Sequence, residues 1–263
     1  VAYVKKRDQA VSYLLLKDIF PQNAVDLGIL SKNGVRGMIY RFFRRKEKKL
    51  YDLSDHSGCM SQANLIFLKK NNPYLPLDKV EVCPNSIDPI IAKKDEESKR
   101  KVREKYNIPS DSIVFLYGGN LGKPQSVDFL IECLQANCNN KDIFFVIAGS
   151  GTELGKLKAF VNGEEIDNTL LLPYLPWEDY EMLARSCDVG LIFLDKRFSI
   201  PNFPSRILSY MQAGLPVIAA TDVNSDVGQI IENACFGYWC KSDDVRQFTK
   251  NVKQLCDKDL RTH

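Results

Sequence analysis

A glycine-rich segment with the sequence Gly118-Gly119-Asn120-Leu121-Gly122-Lys123 follows the apolar run Ile113–Tyr117 and precedes an amphipathic stretch. Glycine lets a backbone approach a ligand closely, and the first turn of a following helix favours an anion. Lys123 adds a cation at the same place. The spacing is neither that of a P-loop nor that of the GxGxxG dinucleotide fingerprint. The segment therefore predicts either a phosphate-binding loop or a tight turn of an α/β sheet.

Two later segments have the residue types to complete such a site. Gly149-Ser150-Gly151-Thr152 repeats the strand, glycine, helix order one unit further along. Ser205 is expected to cap the helix predicted at residues 204–213, and Arg206 falls in the first turn of that helix. A cation at a helix N-terminus is unfavourable unless it meets an anion. Arg206 therefore indicates a bound phosphate.

Strands and helices that alternate along the chain would position these loops. Short apolar runs predict strands at residues 13–16, 56–60, 80–83, 113–117, 143–148, 169–172, 189–194, 216–220 and 238–240. Helices are predicted for a basic stretch ending near residue 53 and for residues 62–70, 93–105, 126–137, from 153, 177–186, 204–213 and 225–233. This alternation indicates an α/β fold with a parallel sheet covered on both faces, whose ligands bind beyond the carboxyl ends of the strands. The change of composition between Pro84 and Pro89 suggests a domain boundary.

The composition of the 263 residues is that of an ordinary globular protein. No run of 18 apolar residues and no signal peptide is present. None of the eight cysteines forms a CxxC pair and the chain has two histidines. A zinc site is therefore not expected, and the cysteines are expected to be free thiols of a reduced, cytosolic protein. The chain begins without Met, and we expect it to be a piece of a longer protein, truncated at its N-terminus.

Positive charge is concentrated at the front of the chain, where residues 1–52 hold twelve Lys and Arg against five Asp and Glu. The densest segment is Arg36–Lys49, in which a helix would gather Ile39, Phe42 and Phe43 on one face among cations. This pattern fits a helix lying on an anionic membrane surface, or an ordinary packing face with a solvated back. Nucleic-acid binding is not expected, because no recognition motif accompanies the charge.

Taken together, these segments resemble family 4 glycosyltransferases. The resemblance rests on Pro84-Asn85-Ser86-Ile87-Asp88, the loop at 118–125, Ala148-Gly-Ser-Gly-Thr-Glu153 and the segment from Pro204 to Ile218, in this order. Within the family the chain is most similar to the N-acetylfucosamine-transferase type of O-antigen and capsule synthesis. Residues 17–25, with the sequence KDIFPQNAV, are also typical of that subgroup. The resemblance covers nearly the whole chain.

This resemblance implies a GT-B fold, in which two Rossmann-like domains, each a doubly wound parallel sheet, face a cleft. Residues 1–84 would be the C-terminal part of the acceptor-binding domain, and residues 85–263 the complete donor-binding domain. The donor would be a nucleoside-diphosphate sugar, most simply UDP-linked, and transfer would retain the anomeric configuration without a metal or other cofactor. The acceptor would be a lipid-linked saccharide on the cytoplasmic face of the plasma membrane, contacted through Arg36–Lys49.

By position, the resemblance assigns sixteen residues to the donor. The loop would approach the diphosphate, the second glycine pair would line the nucleotide site, and the last group would face the diphosphate and sugar. In chain order the residues are Gly118, Gly119, Asn120, Gly122, Lys123, Gln125, Gly149, Gly151, Tyr174, Leu175, Asn202, Phe203, Pro204, Ser205, Arg206 and Ser209. Tyr174 and Leu175 would flank the base through backbone groups. The resemblance assigns no catalytic residue within this chain.

The sequence departs from the family at four positions, of which Asn120, Gln125 and Ser209 belong to this set. Two glutamates of the family, which contact donor hydroxyls and the ribose, are replaced by Pro201 and Ser209. The usual Arg and Lys of the phosphate loop are replaced by Asn120 and Gln125. Lys123 and Arg206 are the candidates to supply the missing positive charge. Sugar identity and ribose contact therefore remain open.

The function expected from these residues is glycosyl transfer in bacterial surface polysaccharide synthesis, by a protein of which this piece alone is inactive. Negative charge on the leaving diphosphate would be stabilised by backbone N–H groups, a helix N-terminus, Lys123 and Arg206. A GT-B sugar-nucleotide epimerase and a non-catalytic nucleotide-sugar-binding module stay open as alternatives. A dinucleotide oxidoreductase is not expected, because its glycine fingerprint is absent.

Overall fold

The computed structural model describes residues 1–90, 95–164, 166–258 and 261. The chain divides into two compact units. Unit 1 comprises Val1–Ser86, Arg197–Phe203 and Asp222–Asp226, and unit 2 comprises Ile87–Lys196, Pro204–Thr221 and Val227–His263. The first change of unit comes two residues after the boundary expected at residue 84. Two segments that the sequence placed with the second domain pack with unit 1.

Unit 1 is built on a small parallel sheet. Its helices are α1 Ala2–Asp8, α2 Gln22–Asp26, α3 Gly34–Leu53 and α4 Gln62–Asn71, with a 3-10 turn at Leu77–Lys79. Its strands β1 Tyr13–Leu16, β2 His56–Cys59 and β3 Val80–Val82 are ordered β1-β2-β3. Tyr51, Cys59, Leu65, Leu68 and Val80 form the core against which this sheet packs. The basic segment is helical, as predicted, and α1 and α2 are helices that the sequence analysis missed.

Two loops distant in sequence complete unit 1. Phe198 and Ile200 pack with Ile19 and Leu27 in a second small core. The Asp226 carboxylate accepts hydrogen bonds from the Ser61 hydroxyl at 2.6 Å and the backbone N–H of Ala63 at 2.9 Å. This carboxylate lies at the N-terminus of α4, where a negative charge is favoured. The loops thus belong to unit 1 through apolar burial and helix capping.

Unit 2 is a six-stranded parallel sheet between two layers of helices. Its strands are β4 Ile113–Asn120, β5 Ile143–Ser150, β6 Thr169–Leu172, β7 Val189–Phe193, β8 Val217–Thr221 and β9 Gly237–Lys241. Its helices are α5 Glu96–Lys105, α6 Val127–Asn137, α7 Leu154–Gly163, α8 Trp177–Ser186, α9 Arg206–Gln212, α10 Val227–Asn233 and α11 Val245–Cys256. The strand order is β6-β5-β4-β7-β8-β9. This is the Rossmann order, and it reverses direction between β4 and β7.

The core of unit 2 explains why its strands read as continuous apolar runs. Phe115, Phe145 and Phe193 are buried against side chains of α6, α7 and α11, and the alternate strand residues Leu116, Val146 and Ile192 are buried as well. Sheets covered on both faces select such strands, so the predicted parallel α/β fold is confirmed. The helix at 93–105 is described from residue 96, while Lys93 and Lys94 lie outside the described residues. α11 was not predicted, although Phe248, Val252 and Leu255 form a buried stripe at helical spacing.

A buried ion-pair cluster attaches α5 to the sheet. The Asp188 carboxylate lies 2.7 Å from Nη2 of Arg103 and 2.9 Å from Nζ of Lys99. It also accepts a hydrogen bond from the backbone N–H of Val114 at 2.8 Å. Burial opposes the charge, but the bonds from Val114 and Lys99 and the charge of Arg103 hold the pKa of Asp188 below its usual value. Asp188 is therefore ionised at neutral pH.

All eight cysteines are free, as expected.

Candidate functional site

The two glycine segments lie side by side at the carboxyl edge of the unit 2 sheet. β4 and β5 stay paired through Gly119 opposite Gly149 and Asn120 opposite Ser150. Beyond the strands, the backbone N–H of Leu121 donates to the carbonyl of Ser150 at 2.8 Å. The segments predicted as loops from Gly118 and Gly149 thus begin as strand. The prediction that loops start there is wrong, because the ladder between β4 and β5 continues through these residues.

Close packing accounts for the glycines of this edge. A Cβ atom at Gly149 would overlap the carbonyl oxygen of Gly119, and one at Gly151 would overlap the carbonyl oxygen of Leu121. A Cβ atom at Gly118 would overlap the Tyr180 side chain. These glycines are therefore required by contacts within unit 2, independently of any ligand. They also hold the two loops at one edge, next to the reversal of strand order.

Some backbone N–H groups of the first glycine segment are already hydrogen-bonded within the protein. The Gln125 side-chain oxygen accepts from the Gly122 backbone N–H at 3.3 Å and from the Asn120 side-chain nitrogen at 3.0 Å. The Leu121 N–H is bonded to Ser150, as described above. An anion at this loop would thus depend on cationic side chains. Lys123 begins the 3-10 turn Lys123–Gln125, is exposed, and forms no ion pair with described residues.

Arg206 approaches the same loop from the other side of the strand-order reversal. It is the first residue of α9, and its guanidinium carbon lies 4.4 Å from the centroid of the Tyr117 ring. Its Nη2 atom lies against Gly119, where a Cβ atom would come within 2.8 Å. Its Nη1 atom is buried without a hydrogen-bond partner among the described residues. The structure thus brings Arg206 to the first glycine segment, as the sequence suggested.

The charge of Arg206 is kept despite its burial. Burial alone would lower the pKa of the guanidinium, but the neighbouring Tyr117 and Tyr210 outweigh it and raise the pKa above its usual value. A cation over an aromatic face gains part of the solvation it has lost. A buried cation without a carboxylate partner nevertheless has a strong demand for an anion. The site is therefore electrostatically prepared for a negatively charged ligand.

Tyr210 fixes α9 onto the strand-order reversal and was missed by the sequence analysis. Its hydroxyl accepts from the backbone N–H of Gly118 at 3.2 Å and lies 3.1 Å and 3.0 Å from the carbonyls of Leu116 and Leu191. Its ring fills the space that a side chain at position 190 would take. A glycine inside the apolar strand β7 was the available signal, because such a glycine often marks close approach by another group.

The other residues predicted to bind the donor lie in different parts of the structure. Ser205 is at the N-cap position of α9, but its side chain makes no capping hydrogen bond, so the predicted cap is wrong. Tyr174 is 74% exposed, and Leu175 is half-buried, in the loop between β6 and α8. Asn202 and Phe203 lie in unit 1, where the carbonyl of Asn202 accepts from the Ser225 hydroxyl at 2.6 Å. Pro204, half-buried, is the first residue of its unit 2 segment.

A cleft of about 260 Å³ opens in unit 2 between α8 and α9. Among its lining residues are Asp88, Trp177, Tyr180, Glu181, Ser209 and Gln212. Ser209 is thus the one predicted donor residue that lines it. The sequence analysis did not place the α8 residues in a site, because only the packing of α8 beside α9 brings them there. The cleft offers aromatic rings and carboxylates next to the glycine segment.

Within the described part of the chain, no three His, Cys, Asp or Glu side chains come together in a way that would hold a metal ion. None of the described helices has the length and apolar content needed to cross a membrane.

Comparison with known proteins shows which family and which relatives this chain resembles. Residues 98–263 match the family model described as "Glycosyl transferases group 1". The probable glycosyltransferase WbjE of Pseudomonas aeruginosa is 24% identical over 252 residues, which are 94% of this chain and 60% of that protein. The O-antigen biosynthesis glycosyltransferase WclY of Escherichia coli is 26% identical over 162 residues, 56% of this chain and 44% of that protein. The chain therefore spans less than two thirds of the length of these relatives.

Solved structures show the fold. HepE of Anabaena, crystallised with UDP and glucose, superposes with a TM-score of 0.76 at 15% identity, over 99% of this chain and 66% of that one. WaaG, a glycosyltransferase involved in lipopolysaccharide biosynthesis, gives 0.71 at 15% identity, over 99% of this chain and 73% of that one. The predicted GT-B fold is confirmed. Because the family model matches residues 98–263, more than half of the chain, the chain belongs to the family of group 1 glycosyl transferases.

Proposed function

We propose that the protein is a retaining glycosyltransferase that moves a sugar from a UDP-sugar to a lipid-linked saccharide during synthesis of a bacterial surface polysaccharide. The observation that carries the proposal is Arg206, whose guanidinium at the strand-order reversal of a Rossmann-type sheet has a buried Nη1 atom with no hydrogen-bond partner among the described residues. Family membership favours transfer over epimerisation and over binding without catalysis. The O-antigen role in the name of WclY supports the polysaccharide context.

The proposed mechanism of glycosyl transfer depends on where negative charge develops during the reaction. As the bond between the anomeric carbon and the diphosphate breaks, negative charge grows on the leaving phosphate oxygens. Arg206 lies against Gly119 of the first glycine segment, and Lys123 follows that segment directly in the chain, so we propose that a diphosphate placed there meets both. Cations held in place before the reaction stabilise such charge without reorganising. Two positive charges also supply what a metal ion supplies elsewhere, so we propose that transfer needs no metal.

The donor is proposed to be UDP-linked and to carry an N-acetylaminosugar. HepE is a structural neighbour crystallised with UDP, which supports the nucleotide. The sugar rests on the resemblance to N-acetylfucosamine transferases. Because this chain spans 60% of the WbjE relative, we propose that transfer requires a longer protein and that nucleotide binding resides in unit 2.

The membrane contact is proposed for α3. Val35, Met38, Ile39 and Phe42 follow one another at helical spacing and are 73%, 58%, 45% and 53% exposed. Lys46 and Lys49 continue the same face towards the C-terminus of α3. An exposed apolar stripe with adjacent cations suits the interface of a membrane with anionic lipids. We propose that this face holds the protein on the inner surface of the plasma membrane, beside a lipid-linked acceptor.

One residue of the basic segment is occupied within unit 1. Nη1 of Arg44 pairs with Glu47 at 2.5 Å, and Nη2 donates to the side chain of Asn72 at 2.6 Å. Arg44 therefore fastens α3 to the end of α4. The lipid contact is assigned to the cations on the opposite face of the helix.

A transfer assay tests the proposed function. Radiolabelled UDP-hexoses and UDP-N-acetylhexosamines are incubated with the longer protein and with lipid-linked saccharides extracted from bacterial membranes. We expect one donor to label the lipid fraction, with an unchanged anomeric configuration, and the Arg206→Ala variant to lose about 10²-fold in rate. Conversion of the donor to its epimer, with no labelled lipid, would contradict transfer and support the epimerase.

A further inference from the structure

The cleft between α8 and α9 begins beside the proposed diphosphate position. Ser209, which lines it, is three residues after Arg206 on α9, and residues at this spacing share a helix face. On the opposite wall, Tyr180 fills the space where a Gly118 side chain would project. A ligand with its phosphates at Lys123 and Arg206 would therefore extend its next group into this cleft.

The lining of the cleft suits a hydroxylated ring. Trp177, 63% exposed, and Tyr180 present aromatic surface, and Glu181 and Asp88 present carboxylates. Aromatic faces pack against flat ring systems, and a carboxylate accepts hydrogen bonds from a pair of neighbouring hydroxyls. In dinucleotide-binding Rossmann folds an acidic side chain performs this second task on the ribose.

Two hydrogen bonds hold the Glu181 carboxylate in position, and both are made to the same oxygen. Its Oε1 atom accepts from Nη2 of Arg185 at 2.5 Å and from Nε2 of Gln212 at 3.1 Å. Its Oε2 atom has no hydrogen bond or ion pair with a described residue, and the side chain is 19% exposed. The carboxylate is thus oriented by two donors while Oε2 keeps its acceptor capacity. Asp88 is exposed and accepts no hydrogen bond from a residue that the structure describes.

We propose that Glu181 is the residue that recognises the ribose of the nucleoside diphosphate, through hydrogen bonds from the 2′ and 3′ hydroxyls to Oε2. The inference rests on the proposed function and deepens it, because it assigns a specificity-determining residue to the same site. Ser209 faces the cleft with a small side chain and leaves the room that a ribose needs. Arg185 and Gln212 are positioning residues, since they act through Glu181.

Calorimetric titration with UDP and with 2′,3′-dideoxy-UDP tests the inference. We expect the unmodified protein to bind UDP at least about tenfold more tightly, as hydrogen bonds to a charged group imply. Glu181→Gln should reduce that ratio to about threefold or less by weakening UDP alone. Asp88→Asn, the matched change at the other carboxylate of the cleft, should keep the full ratio.

The outcomes separate this inference from the proposed function. UDP binding that does not depend on the two hydroxyls, or that keeps its preference in Glu181→Gln, would overturn the role of Glu181 and leave the proposed function intact. A protein that binds neither nucleotide would overturn both. The ratio within one variant is insensitive to partial misfolding, because both ligands are measured on the same sample.

Discussion

The guanidinium carbon of Arg206 lies 4.4 Å from the centroid of the Tyr117 ring. Tyr117 belongs to β4 and Arg206 opens α9, which follows β7, so the contact bridges the two halves of the Rossmann-type sheet at their junction. The ring partly compensates the cation for lost water. It cannot replace an anion, and Nη1 has no partner among described residues. This contact is the reason for placing a diphosphate here.

Gly149→Ala is expected to destabilise the protein by about 1–3 kcal/mol, because the added Cβ would overlap the carbonyl oxygen of Gly119. Separation of β4 from β5 should also weaken UDP binding. Urea unfolding measures the first effect and titration the second. Gly155→Ala is the control, because a Cβ there meets nothing within 4 Å and the residue lies in α7. Equal losses in the two variants would contradict the close-packing account.

Asp188→Asn is expected to lower the free energy of unfolding at pH 7 by about 3 kcal/mol, since Arg103 and Lys99 would keep their charges without the carboxylate. The pKa of Asp188 is lowered in the folded state, so its stabilising effect is complete above the unfolded pKa of about 4. The effect should disappear as the pH falls from there through the folded pKa. Urea unfolding of both proteins between pH 7 and pH 3 measures this.

A matched variant distinguishes that cluster from surface ion pairs. Asp128→Asn removes one of the two carboxylate partners of Lys156, the other being Glu153, and the side chains of Asp128 and Lys156 are at least half exposed. Exposed pairs contribute little, so its stability should stay close to that of the unmodified protein at every pH. A loss for Asp188→Asn that is the same at pH 3 and pH 7 would contradict the role of its charge.

Lys46→Glu combined with Lys49→Glu is expected to reduce binding to phosphatidylcholine vesicles containing phosphatidylglycerol by at least about tenfold, since each cation near an anionic surface contributes about 1 kcal/mol. Vesicle co-sedimentation measures it. Lys250→Glu with Lys253→Glu makes the same charge change on α11, at two exposed lysines, and should leave binding nearly unchanged. Vesicle binding that survives the α3 change would remove the membrane proposal.

Local patterns in the sequence predicted most of unit 2. Its strands are continuous apolar runs because both faces of the sheet are covered, and the glycine segments that begin in the last residues of β4 and β5 lie at the predicted edge. The conflict between a cation and a helix N-terminus drew attention to Arg206, which the structure places against Gly119. These signals depend on neighbours in the chain, which a sequence displays directly.

Long-range packing was not predictable in the same way. The segments 197–203 and 222–226 belong to unit 1 through contacts such as Asp226 with Ser61, whose partners are 165 residues apart. Glu181 lies on α8, and only the packing of α8 beside α9 places it in a cleft with Ser209. The strand ladder beyond Gly118 was missed because glycine favours loops when judged without its neighbouring strand.

Titration with UDP, measured by calorimetry for the unmodified protein and for Lys123→Ala and Arg206→Ala, tests the central claim most directly. A charge-assisted hydrogen bond contributes about 1.5–3 kcal/mol, so we expect each variant to weaken binding by at least about tenfold. Lys158→Ala, at an exposed lysine of α7, is the control and should bind UDP normally. UDP binding of unchanged strength in both Lys123→Ala and Arg206→Ala would contradict a diphosphate between these two cations.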